Sequence, residues 1–65
     1  MRILVNGAWH DTAGAELAAV LEELGYRDVI VSTAVNGEFV AAPERSRTPL
    51  VEGGRVEVRA PMRGG

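Results

Sequence analysis

Cysteine and lysine are both absent from this chain of 65 residues, and histidine, tryptophan, tyrosine and phenylalanine occur once each. Without cysteine there can be no disulfide staple and no thiol chemistry. With His10 as the sole imidazole, the usual ligands of a structural zinc site are missing too. No apolar run approaches the ~20 residues that span a bilayer. The opening MRILVNG turns polar at Asn6, too early for a signal peptide, so a cytoplasmic protein without a membrane role is expected. All seven basic residues are arginines, scattered among nine acidic ones for a net charge of −2. There is no basic run, so nucleic acid is not the expected partner.

What remains must fold without staples. A chain this short makes one domain and buries only about 60% of its unfolded surface. Its 46% hydrophobic content argues against disorder and for regular elements around a small core. No repeat or low-complexity segment is found. MRILV reads as a strand with Met1, Ile3 and Val5 on one face and Arg2 and Leu4 on the other. Asn6-Gly7 predicts a two-residue type I′ turn into a returning strand over about Ala8 to Thr12. That register pairs Val5 with Ala8 and puts Trp9 on the face opposite Ile3 and Val5.

Leu17, Val20, Leu21 and Leu24 follow the i, i+3, i+4, i+7 spacing of an amphipathic helix, with Glu16, Glu22 and Glu23 off the stripe. Gly25 sits where a C′ glycine would end it. The start is placed only to within a turn, since neither Gly14 nor Ala15 caps well. A helix this short must pack on a sheet. VIVSTAV at 29–35 reads as a strand with both faces at least partly covered, Asn36-Gly37 as a second turn, and EFVA as a short strand. APERSRTPL, with Pro43 and Pro49, reads as irregular with room for one helical turn, and Leu50 as a core plug. EGG turns the chain. RVEVRA then alternates, with Val56, Val58 and Ala60 inward and Arg55, Glu57 and Arg59 outward. The order ββ-α-β-β-loop-β predicts an α+β domain of the β-grasp (ubiquitin-like) type, a small mixed sheet packed on one helix. The domain is expected over residues 1–60, with 61–65 a flexible tail ending in Gly-Gly.

No internal active site is expected. His10 lies beside Asp11 on a hairpin strand, either at the surface or half-buried and satisfied by a neighbour. The helix glutamates form a solvated face, and EGG at 52–54 lacks the following helix that a phosphate loop needs. The group that could work is the carboxylate of Gly65. Glycine has no side chain and adopts dihedrals other residues cannot, which suits a tail entering a narrow channel in another protein.

MRILVNG at the start, AVNGEFV at 34–40, LVEGGRVEV at 50–58 and APMRGG at the end resemble the ThiS family, the sulfur carriers of thiamine biosynthesis. The resemblance spans the full chain. It departs from the family's habits at Ala41, Ala42 and Pro43, at Gly53-Gly54, and at Glu16, where the family often caps the helix with threonine. The resemblance implies a protein cosubstrate rather than an enzyme, with no bound cofactor. A ThiF-type adenylyltransferase would use ATP to adenylate Gly65, and a cysteine-derived sulfur donor would turn it into a thiocarboxylate. A ThiG-type thiazole synthase would accept the sulfur. Gly64, Arg63 and Met62 would be recognised with the tail. Trp9, Leu4 and Arg59 are candidates for the partner surface, against the alternative that Trp9 packs in the core. Rival readings are a molybdopterin-synthase-type carrier, a non-covalent β-grasp binding module, and a modifier conjugated to other proteins. Lacking lysine, the chain cannot form lysine-linked chains of itself.

Overall fold

The computed structural model describes residues 1–60. Five strands, β1 (Arg2–Val5), β2 (Ala8–Asp11), β3 (Ser32–Val35), β4 (Glu38–Val40) and β5 (Arg55–Arg59), form one sheet in the order β2-β1-β5-β3-β4. The helix α1 (Leu17–Glu23) packs on one side, and a short 3₁₀ helix spans Ala42–Arg47. β1 runs parallel to β5, while β1–β2 and β3–β4 are antiparallel hairpins and β3 runs antiparallel to β5. This is the mixed sheet with one helix expected from the element order.

The turn chemistry acts as predicted. Asn6 and Gly7 take φ of 49° and 83°, and Asn36 and Gly37 take 49° and 87°. These left-handed dihedrals are what a type I′ turn requires at both central positions. The registers follow: Val5 faces Ala8, Leu4 faces Trp9, Val35 faces Glu38 and Ala34 faces Phe39. Ile3, Val5, Val56 and Val58 turn to the helix side, where Leu17, Val20 and Leu21 meet them with Leu50 beneath. Leu24 is only half-buried at the edge of this core.

The helix begins at Leu17 because the Glu16 carboxylate accepts the Ala19 N–H at 2.9 Å. It ends where Gly25 takes φ +95°, as the C′ position predicts. The loop leading into it is held by Glu23. Its Oε2 accepts the Ala13 N–H at 2.9 Å and its Oε1 the Gly14 N–H at 3.0 Å. These backbone donors, Ala13 first and Gly14 next, hold the Glu23 carboxyl below the usual carboxylate range.

Two expectations fail. The strand read over 29–35 starts only at Ser32, the residue that pairs with Arg59 near the end of β5. Before it the chain is still turning, with the Val29 N–H donated back to Tyr26 O. A β-branched run extends as a strand only where it has a strand to pair with. Val31 is still buried, but Val29 and Ile30 are exposed. Likewise Ala60, expected inward, is exposed and lies past the end of β5.

Candidate functional site: the open sheet face and the root of the tail

With α1 on one side, the described residues leave the other sheet face open. Pairing registers alone bring Trp9, Leu4 and Arg55 into one row across β2, β1 and β5. Phe39, Ala34 and Glu57 form the neighbouring row across β4, β3 and β5. Trp9 is 52% exposed and Phe39 73%, which settles the alternative for Trp9: it stands outside the core. The Arg2 guanidinium lies 5.4 Å from the Trp9 ring centroid, a cation–π contact that steadies the indole on the open face. Arg2, Arg55 and Arg59 are set there against Asp11 and Glu57, so this face leans basic although the chain is acidic. Leu4 is half-buried between its neighbours. The three residues expected on the partner surface, Trp9, Leu4 and Arg59, therefore share one face.

Phe39 completes the pattern and was missed. The turn logic that placed Trp9 also places Phe39, because Val35-Asn36-Gly37-x-Phe39 repeats the spacing of Val5-Asn6-Gly7-x-Trp9. Ile30 was missed for a different reason, since its run reads as strand. It is 82% exposed and lines a small groove with Ser32, Arg59 and Ala60. His10 is half-buried on the helix side across from Ile3, away from the open face.

β5 ends at Arg59, so the chain leaves the sheet beside Asn6 and Gly7. A shallow concavity of about 440 Å³ lies there, lined by Leu4, Asn6, Arg55, Glu57 and Arg59 among others. The expected tail residues Met62, Arg63, Gly64 and Gly65 lie outside the described residues. Among the described residues no three His, Asp or Glu side chains converge to hold a metal ion. Nor is any helix there long and apolar enough to cross a membrane.

Loop 41–49, expected to be irregular, carries the 3₁₀ helix and is firmly tied. Arg45 donates from Nε to Thr33 Oγ1 at 3.0 Å and from a terminal nitrogen to Val31 O at 2.6 Å. Thr33 Oγ1 in turn donates to Val40 O at 2.8 Å. The buried Thr33 hydroxyl is thus fully used, and the loop is fastened to the start of β3.

The sequence matches the model of the ThiS family over residues 2–65. The chain belongs to the ThiS family. Among solved structures it is similar to the thiamine biosynthesis protein ThiS from Geobacter metallireducens. The two are 28% identical with a TM-score of 0.82, and the alignment covers 100% of each chain. No curated protein matches. ThiS proteins are sulfur carriers of thiamine biosynthesis, so this chain is a carrier and not a catalyst.

Proposed function

We propose that the carboxylate of Gly65 is the sulfur-carrying group. In the first step a carboxylate oxygen attacks the α-phosphorus of ATP in a ThiF-type adenylyltransferase, and pyrophosphate leaves. The resulting acyl adenylate is a mixed anhydride with AMP as its leaving group. A nucleophilic sulfur derived from cysteine then displaces AMP and leaves a thiocarboxylate, which a ThiG-type thiazole synthase consumes. Gly64, Arg63 and Met62 pass through the partner's channel with Gly65, and glycine at the last two positions lets that channel close on bare backbone. ATP places these steps in the cytoplasm.

The observation that carries the reading is that the family match runs through Gly65. The open face supplies the docking half. Trp9, Leu4 and Arg59, joined by Phe39, offer two aromatic anchors among arginines, the residue types that dominate binding hot spots. Incubation with ATP, the adenylating partner and a cysteine-derived sulfur source should raise the intact mass by the replacement of one oxygen by sulfur, mapped to Gly65. Deleting Gly65 should abolish the gain. No gain from the intact chain with a demonstrably active partner would sink the proposal.

A further inference from the structure

β5 has strands on both sides for only part of its length. Arg55, Glu57 and Arg59 turn their backbone groups towards β3, where the Asn36 N–H donates to Arg55 O at 2.8 Å. The intervening residues turn theirs towards β1: Leu4 N donates to Gly54 O at 2.9 Å, and Asn6 N donates to Val56 O at 3.0 Å. The next step of that parallel ladder falls at Val58. There β1 has already ended, because Asn6 and Gly7 turn the chain away into β2. The Asn6 side chain takes over. Its Nδ2 donates to Val58 O at 3.0 Å, and its Oδ1 accepts the Val58 N–H at 2.9 Å. A side-chain carboxamide carries the same donor and acceptor as a peptide group, so it continues the ladder one step beyond the strand.

We propose that Asn6 is a positioning residue for the carrier reaction: its clamp on Val58 sets the point at which the tail leaves the sheet. Val58 lies three positions before Pro61. While it is clamped, β5 keeps its place in the sheet as far as its last residue, Arg59. Once it is released, the last residues of β5 join the tail and must be reordered each time the terminus enters a partner. Asn36 is the built-in comparison. It has the same φ and also holds β5, but its Oδ1 accepts the Arg55 N–H at 2.9 Å, at the strand's opposite end. The claim about the reaction rests on the carrier reading above; the clamp itself does not.

The test compares Asn6→Gly with Asn36→Gly in the full chain. Glycine accepts the positive φ at either turn, so each variant deletes the carboxamide and keeps the turn. Amide exchange is read first, without any partner enzyme. Val58 should exchange about tenfold faster in Asn6→Gly than in Asn36→Gly, the scale set by losing two hydrogen bonds. Adenylation is read second. With the open face intact, KM for the carrier should hold in both variants, while kcat falls by about tenfold in Asn6→Gly alone, the cost of ordering one or two more residues. Asn6→Asp, which keeps the acceptor for Val58 N–H and loses the donor, should fall between wild type and glycine in both readings. Equal exchange at Val58 in the two glycine variants overturns the clamp. Faster exchange with unchanged kcat, or an equal kcat loss in both, overturns the positioning role. A wild-type chain that the partner does not adenylate overturns the carrier reading and leaves the exchange result standing.

Discussion

The two hairpins of this protein are written in nearly the same letters and used in different ways. Ile3-Leu4-Val5-Asn6-Gly7-Ala8-Trp9 and Thr33-Ala34-Val35-Asn36-Gly37-Glu38-Phe39 share the turn, the dihedrals, the pairing register and an exposed aromatic on the open face. They differ in direction relative to β5. β1 runs with it and β3 against it, so their turns sit at opposite ends of the same central strand. The local code decides the turn. What the turn's asparagine holds is decided by which end of β5 lies beside it.

They also differ in how they are anchored. Hairpin β1–β2 buries Ile3 completely, and hairpin β3–β4 puts the hydroxyl of Thr33 in the equivalent place, satisfied by Arg45 and Val40. The largest effect should come from Ile3→Ala, which leaves a cavity in the core and should cost about 3 kcal/mol in chemical denaturation. Thr33→Val should cost less, about 1–2 kcal/mol, because Arg45 and the Val40 carbonyl lose a partner while volume is kept. If Thr33→Val proves the more damaging, the polar anchor outweighs the apolar one and the contrast between the hairpins is reversed.

A smaller and more even effect is expected at the turns. Gly7→Ala and Gly37→Ala each force a Cβ into a left-handed conformation, costing about 1 kcal/mol. A Cβ at Gly7 meets nothing within 4 Å, and one at Gly37 meets only the end of the Arg55 side chain at 3.8 Å. The two losses should therefore agree in thermal or chemical unfolding. Clearly unequal losses would show that the turns are not equivalent, whatever their dihedrals.

The smallest effect distinguishes the two hairpin exits by pH. The exit of β2 is held by an anion, Glu23, through the Ala13 and Gly14 amides, and the exit of β4 by a cation, Arg45. The Glu23 carboxyl is depressed in the folded state, so its contribution is present above the ordinary carboxylate range and lost as pH falls through the lower folded value. Glu23→Gln should lower the thermal midpoint slightly at neutral pH, and the gap from wild type should close in acid. A gap that stays constant down to low pH would mean that the carboxylate's charge is not what holds the loop.

Much of this was legible in one dimension. The alternation in β1 and β5, the helix stripe at Leu17, Val20 and Leu21, and the two Asn-Gly turns are local patterns whose period or backbone demand is carried by adjacent residues. Trp9 on the open face followed from turn length, and Phe39 could have followed in the same way. Three features could not be read. The start of β3 at Ser32 depends on where β5 ends, 27 residues further along the chain. The exposure of Ile30 follows from that lost pairing. The tie from Arg45 to Thr33 depends on the 3₁₀ helix folding back over β3, which a segment with Pro43 and Pro49 does not announce.

By itself the sequence determined the order of the elements, the two Asn-Gly turns and the family, because periodicity, positive-φ positions and a chain-length motif match are carried by the letters themselves. Only the tertiary structure decided that Asn6, 52 positions before Val58, completes the ladder near the end of β5. A carboxamide has the same donor and acceptor wherever it stands. Which backbone it replaces depends on the strand that packing brings alongside it.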